Sequence, residues 1–295
     1  MIYMNIMQDA SEVIVYNCSD MPVYIHDNDL SDYPDRKALC HWHKDIEIIY
    51  VTEGEMNYHV NGKTIPLRER SCTVINSQHM HYGSSRYNHD CRFMCIRFHP
   101  GILNSDPSVY RKYVKPLVEN SEIEYLGYEI DSPNHHKIEE RITRMCRLKK
   151  EMEEGYGLRL ISEIYLLWQF LFEECRPNLR QESVLEPNDL ILQKKMVSYI
   201  YEHYQEPLTL DEISASANIS RSKCCLIFKQ YLQQSPVDFL NKYRLEVSRR
   251  LLTDTQHKIT QIAFSCGFNH LSYFSKVFFS EYGCTPTEYR RQNIK

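Results

Sequence analysis

The stretch KITQIAFSCGFNHLSYFSKVFFSEYGCTPTEYR, Lys258–Arg290, decides the fold of the C-terminal third of the chain. Ile259, Ile262 and Ala263 step by three and four, the period of a short helix with one apolar face. Gly267 breaks the pattern where a tight turn needs a backbone free to enter the left-handed region. From His270 to Tyr282 the helical period resumes, with Phe274, Val277, Phe278 and Tyr282 on one stripe. Pro286 opens a last short helix, because proline suits the first helical position. Short helix, turn, longer helix is a helix-turn-helix layout, whose second helix can enter a major groove.

Upstream, 208–232 repeats the plan. Leu210, Ile213 and Ala217 form the short helix, Asn218-Ile219 the turn, and Phe228 stands where Phe278 stands in the second copy. Asn tolerates the left-handed region, so the turn survives without glycine. Ser220 is a good N-cap for the longer helix, which runs to about Leu232. Ser235-Pro236 opens a helix to about Thr253 that joins the copies. At 1.5 Å per residue it spans ~27 Å, close to the ~34 Å of one B-DNA turn, so one chain can present two helices to adjacent major grooves. Another helix, Ile191 to Tyr204, precedes them and ends before Pro207. A lone helix-turn-helix pattern is weak evidence; two copies joined by a long helix are much stronger.

The segment Leu208–Arg290 resembles the AraC/XylS family of transcription regulators. The Ile-Ala, Gly-Phe, Ser-Tyr-Phe, Val-Phe, Tyr-Gly, Thr-Pro and Tyr-Arg groups of Lys258–Arg290 match in register, as do Tyr243-Arg244-Leu245 and Arg250-Leu251-Leu252. The resemblance implies base-edge contacts from Ser222, Cys225 and Leu226 on the first reading helix. On the second it implies them from Ser272, Ser275 and Lys276, with His270 at its start. Lys223 and Lys229 are phosphate candidates, as are Lys242 and Lys258. Leu226 and Phe279 stand where the family commonly has a basic residue; an exposed Leu can instead meet a thymine methyl. Asn218 and Gln233 replace the family's usual Gly, and Ser248 its Ala, so the first unit is expected to read DNA differently or less strongly. The family also implies a promoter or operator as partner, RNA polymerase if the chain is an activator, and a small-molecule effector.

Charge agrees with this division. Residues 188–295 hold 14 Lys+Arg against 10 Asp+Glu, whereas 1–187 hold 21 against 29. A basic C-terminal part on an acidic chain suits a nucleic-acid-binding module joined to something else. The opening MIYMNIMQDASE lacks a basic n-region and is not expected to act as a secretory signal. No apolar run approaches ~18 residues, so no membrane helix is expected. Eleven Cys without a CxxC pair read as reduced thiols of a cytoplasmic protein.

From about 13 to 99 the pattern is short and strand-like: Val13–Tyr16, Val23–Ile25, Ile46–Val51, Met56–Val60, Cys72–Ile75 and Arg92–Phe98. Asn61-Gly62 between two runs is a strong hairpin signal. Short strands with turns between them suggest a sandwich or barrel. Seven of the 13 His lie between 41 and 99. On a continuous strand His41, His43 and Glu47 point to one face, and His81 from a later strand can join them. Such a set can hold a divalent metal. The spacing His41-x-His43-x3-Glu47-x6-Gly54 resembles the first cupin motif, and Ile75–His81 loosely the second. A cupin barrel is the usual sensor domain on AraC-type regulators. A pocket for an organic effector, lined by His41, His43, Glu47 and His81 with Tyr24 and Tyr58 as stacking surfaces, is preferred here to a metal site. A sugar or related metabolite is the effector class expected, and no cofactor.

From about 134 the period becomes helical. Ile138, Ile142, Met145, Leu148 and Met152 form one helix, and Leu160 to Phe172 a second whose apolar band is wider than one packing face needs. A homodimer through these helices is expected. Residues 176–188 carry two prolines and no periodicity and read as a linker. The expected fold is therefore α+β. A cupin-like β-barrel with two following helices (1–180, ligand sensing and dimerisation) precedes an all-α domain of two helix-turn-helix units (188–295). The function expected is a sequence-specific, ligand-responsive transcription regulator, an activator rather than an enzyme. The alternatives are a metal-dependent cupin enzyme with a helical appendage and an architectural nucleic-acid protein. The paired helix-turn-helix units weigh against the first and the barrel against the second.

Overall fold

A computed structural model describes residues 11–12, 14–18, 21–33, 36–177, 179, 188–232 and 234–293. The chain divides into two compact units, Ser11–Asn188 and Asp189–Lys295.

The first unit is built on seven strands: β1 (Val23–Asp29), β2 (Ile46–Val60), β3 (Lys63–Arg68), β4 (Cys72–Ile75), β5 (His81–Ser85), β6 (Cys91–Phe98) and β7 (Tyr125–Tyr128). All pairings are antiparallel, in the order β1-β6-β2-β4-β7, with β3 and β5 also on β2. The two runs expected at 46–51 and 56–60 are one 15-residue strand. Its first half pairs with β4 and β6, its second with β3 and β5. The register slips between Val51 and Glu53, and Gly54 follows at φ +79. That bulge bends β2 and lets it serve both halves of the sheet. Gly54 has no room for a side chain, since a Cβ would stand 2.7 Å from the Asp90 carbonyl oxygen.

Alternation along β2 and β6 sorts two cores. Ile46 and Ile48 of β2, with Ile96 and Phe98 of β6, pack against α3 (His135–Glu151) and α4 (Tyr156–Cys175) through Ile138, Ile142, Met145, Leu160, Ile164, Leu167 and Trp168. Ile49, Val51, Cys95 and Phe93 point to the other side, into the sheet's own concavity with Met56, Tyr58 and Leu67. The same parity puts Glu47 and Arg97 on the concave side, and they are register partners.

Two local expectations fail. Residues 14–17 form no strand, and Val15 is exposed. The Asn17 side chain takes the place of a backbone partner, accepting from Ile25 N at 3.0 Å and donating to Ile25 O at 2.9 Å. Val13 lies outside the described residues. Nor is 41–47 one continuous strand: His41 and Trp42 make isolated bridges, the chain bends at Lys44-Asp45, and β2 starts at Ile46. A helical stretch absent from the sequence reading follows β6: α1 (Pro107–Val109), a π-turn over Tyr110–Val114, and α2 (Lys115–Val118).

The second unit is all helical: α5 (Asn188–His203), α6 (Leu210–Ser216), α7 (Arg221–Leu232), α8 (Pro236–Asp254), α9 (Ile259–Ser265), α10 (Leu271–Tyr282) and α11 (Pro286–Asn293). Thr209 and Glu212 form a capping box at α6, and Ser235 caps α8. Gln233 and most of the expected linker lie outside the described residues. All eleven Cys are free thiols. Among the described residues no helix is long and apolar enough to cross a membrane.

Candidate effector site and DNA-reading helices

His41, His43, Glu47 and His81 meet in the concavity, each 3% exposed or less. They arrive from three places. His41 and His81 are tied by reciprocal backbone hydrogen bonds, His41 N to His81 O at 3.1 Å and His81 N to His41 O at 2.8 Å. His43 is turned inward by the bend before β2, and Glu47 by β2's alternation. One ligand atom from each lies within 4.8 Å of the others.

The three imidazoles share a second contact. Nδ1 of His41 lies 2.8 Å from Leu39 O, that of His43 3.1 Å from Asp45 O, and that of His81 2.7 Å from His79 O. A carbonyl only accepts, so Nδ1 carries the proton in each ring and Nε2 presents a lone pair to the centre. The His43 Nε2 lies 3.1 Å from Glu47 Oε2. The Nε2 atoms of His41 and His81 are buried without a hydrogen-bond partner. Burial holds His41 well below the ordinary imidazole range and pushes His43 down to about 4. Burial works to raise the Glu47 carboxyl, but the groups around it, the buried Arg97 guanidinium among them, outweigh it and hold it well below the ordinary carboxylate range.

Arg97, Glu12 and Asp45, with Tyr16, complete the site; the first three were not singled out in the sequence as site residues. Arg97 pairs with Glu12 through Nη1, and its Nε stands 3.6 Å from Glu47 Oε2. Glu12 is held beside the site by its backbone N–H to Trp42 O at 2.9 Å, and its carboxylate is 3.3 Å from His41 Nε2. Burial raises the Glu12 carboxyl against the pull of Arg97. Tyr16 donates to Asp45 at 3.2 Å. The strand parity of Arg97 relative to Glu47 was the available signal; nothing in the sequence links Glu12 to a motif 30 residues on. Tyr58 donates its hydroxyl to Glu47, and the Tyr24 ring lies 4.5 Å under Arg97. Both tyrosines are bound into the charge network.

These residues fit a divalent metal. Nε2 atoms of three imidazoles and a carboxylate converge, each imidazole is oriented by a carbonyl, and the Nε2 atoms of His41 and His81 make no hydrogen bond. Within ~2.1 Å of one ion, tetrahedral ligand atoms stand ~3.4 Å apart, against 3.1 Å for His43–Glu47 and 3.7 Å for His81–Glu47.

In the second unit Cys224, Ile227 and Phe228 of α7 are buried, as are Phe274 and Phe278 of α10. The outer face of α7 carries Ser222, Leu226 (55% exposed) and Lys229, with Cys225 half-buried. Lys223 is half-buried too, its Nζ 2.7 Å from Asp189 Oδ2 on α5. On α10 Ser272, Lys276 and Phe279 (54%) are exposed and Ser275 is half-buried; His270, the N-cap position, is exposed. Lys242 Nζ stands 3.6 Å from Glu281. The turns match in backbone: Asn218 has φ +54 and Gly267 φ +82. Arg244 of α8 donates to Tyr204 O at 2.7 Å and Glu206 O at 2.6 Å, joining the end of α5 to the long helix beside Gly267.

Known proteins resemble both units. The family described as AraC-like ligand binding domain matches residues 31–167, and the helix-turn-helix domain family matches 213–292. The "Uncharacterized HTH-type transcriptional regulator YdeC" of Bacillus subtilis (strain 168) is 24% identical over 97% of this chain and 97% of its own. The "HTH-type transcriptional activator RhaS" of Klebsiella pneumoniae (strain 342) is 24% identical over 85% of this chain and 87% of its own. A solved structure of ToxT from Vibrio cholerae covers 93% of this chain and 100% of its own at 13% identity and a TM-score of 0.46. The matches are to regulators, and the enzyme alternative is set aside. With a ligand-binding domain ahead of a helix-turn-helix domain that binds DNA, the chain belongs to the AraC family of transcription regulators.

Proposed function

We propose that the chain is a transcription activator that reads two adjacent major grooves with α7 and α10 and responds to an effector at the histidine site. The proposed division is 1–180 for sensing and dimerisation and 188–295 for reading. The observation that carries the reading role is the α9–α10 unit: Phe274 and Phe278 fix α10 against the core while Ser272 and Lys276 stand out on its exposed face. The α8 helix, 19 residues and so ~28 Å long, suits the separation of two grooves. Ser222, Cys225, Leu226, Ser272, Ser275 and Lys276 are proposed for base edges, and Lys223, Lys229 and His270 for the phosphates and groove edge. Leu158 and Leu166 of α4 are exposed and support a homodimer through this helix. RNA polymerase is the further partner of an activator, and the cytoplasm its place of action. The sugar-class effector draws no support from Tyr24 and Tyr58, both engaged by charged side chains.

Footprinting on the region upstream of the chain's own operon tests the reading. Protection over about two helical turns on one face is expected, altered by the effector. Protection of half a turn, or none on any upstream sequence, would refute it.

A further inference from the structure

We infer that Phe279 of α10 is a base-reading residue that takes a thymine methyl in the major groove. Its thymine lies about one base pair away, relative to the helix, from the one that Leu226 of α7 meets in the other half-site. The inference rests on the proposed reading of two grooves by α7 and α10 and goes beyond it, because that reading leaves Phe279 without a role.

The two reading helices lie on each other residue by residue. Arg221–Leu232 and Leu271–Tyr282 are both 12 residues long. Their buried positions coincide, Cys224 with Phe274 and Phe228 with Phe278. So do half-buried Cys225 with Ser275 and exposed Ser222 with Ser272. In this register Leu226 falls on Lys276 and Lys229 on Phe279, and all four are exposed. Positions 222, 226 and 229 form one stripe, at i, i+4 and i+7, and 272, 276 and 279 form the same stripe on α10. Each stripe therefore holds a serine, one cation and one large apolar side chain. The order is reversed: apolar then cation on α7, cation then apolar on α10.

A single exposed apolar residue needs no explanation. Phe279 differs by its place: it is 54% exposed on the stripe that carries Ser272 and Lys276, opposite the buried Phe274 and Phe278. A helix that docks by this stripe takes the ring out of water. The ring has no N–H or O–H to offer a phosphate or a base edge, and against a phosphate it would strip hydration without replacing the hydrogen bonds. The thymine C5 methyl is the apolar feature that the major groove presents, and phenylalanine is among the side chains that meet it. Three residues along a helix span ~4.5 Å, against ~3.4 Å between base pairs. The reversed order therefore shifts the thymine by about one base pair relative to the helix and shifts the cation the opposite way. The two half-sites are related without being copies.

The test uses the full chain and the duplex that footprinting defines upstream of its own operon. Thymines across both half-sites are replaced one at a time by deoxyuridine, which removes the methyl and keeps every hydrogen-bonding group. One replacement is expected to weaken wild-type binding about 4-fold through Phe279, the effect of one buried methyl. Phe279→Ser is expected to bind the thymine duplex at least ~4-fold more weakly and to lose all response to that replacement. Its response to the thymine met by Leu226 should stay as in wild type, and Leu226→Ser should show the converse. Phe279→Lys is expected to be equally blind to the methyl and to steepen the slope of log K against log salt by about one. Melting curves check that the variants, all at exposed positions, fold as wild type does. Unchanged affinity of Phe279→Ser on the thymine duplex, or a wild-type response by it to every deoxyuridine, overturns the role of Phe279. Two responding thymines at the same register in the two half-sites overturn the one-base-pair shift. Either result with sequence-specific protection intact sinks the inference alone. No sequence-specific protection anywhere upstream sinks the groove reading, and the inference with it.

Discussion

Lys223 Nζ lies 2.7 Å from Asp189 Oδ2, so a cation of the first reading helix is engaged by the opening turn of α5. A phosphate that recruits Lys223 has to compete with that carboxylate. Lys229, on the exposed face of α7, meets no such rival in Asp189. Lys229→Ala should therefore lower the slope of log K against log salt by about one. Lys223→Ala should lower it by less than half as much. Asp189→Asn should raise affinity for all sequences alike and steepen the slope. Titrations between about 50 and 200 mM salt decide this; equal slopes for the two lysine variants would show that Asp189 yields Lys223 to DNA without cost.

The two turns should respond oppositely to substitution. At Gly267, φ +82, a Cβ would collide with the Tyr204 carbonyl oxygen and press on the Arg244 guanidinium. Gly267→Ala should destabilise the second unit by roughly 2–4 kcal/mol, combining left-handed strain with the lost Arg244 contacts. Asn218, φ +54, already carries a side chain there. Asn218→Gly should be neutral or stabilise by up to ~1 kcal/mol. Urea unfolding of both variants is the measurement, and a harmless Gly267→Ala would mean the turn can relax.

The second unit was largely legible because its signals are local. Gly267, Ser235-Pro236 and the Phe274/Phe278 stripe each act within one or two helical turns, and helices α8 to α11 begin within a residue of where these residues put them. The barrel site was half legible. His41, His43 and Glu47 converge as read, although the chain bends at Lys44-Asp45 where an unbroken strand was expected. The bend leaves the outcome intact because His41 is fixed by His81 across the site and not by strand parity. Glu12 and Arg97 escaped because they are brought together by pairing between distant segments, which no short window records. The stretch 14–17 was misread since β-propensity there is overruled by the Asn17 side chain, which takes the Ile25 backbone groups for itself.

Acid should weaken the barrel through His59. Its ring stacks on Tyr82 and bonds Ser84 Oγ at 2.8 Å. Burial, aided by Lys37, pushes its proton affinity down from 6.5 to about 4. Between those two values the unfolded chain binds the extra proton and the folded chain does not. Stability is therefore lost as pH falls through that window, and His59 contributes nothing to the slope above it. His59→Gln should make the loss shallower, by at most ~1.4 kcal/mol per pH unit and by less to the extent that the ring is exposed. Melts of both proteins from pH 7 to 4 read the difference; parallel curves would mean that His59 titrates alike in both states.

Lys276 is the sharpest test of the reading helix. It stands one turn beyond Ser272 on the exposed face of α10, and Phe274 and Phe278, fully buried on the other side, fix the helix that aims it. Phe274 packs 5.0 Å from Phe268 and 5.5 Å from Phe278, ring centre to ring centre. If Lys276 donates to a guanine edge, Lys276→Ala should cost ~1–3 kcal/mol at the true site and relax one base position. If it meets phosphate, the loss should be uniform across sequences, with the salt slope reduced by about one. Phe274→Ala is the control: it should cost roughly 3–5 kcal/mol of stability by leaving a cavity, while the protein that stays folded keeps its base preferences. Binding titrations of both variants on site and mutated-site DNA at several salt concentrations separate these outcomes. Unchanged affinity of Lys276→Ala on every sequence would take Lys276 out of the interface and require a different face of α10 to meet the groove.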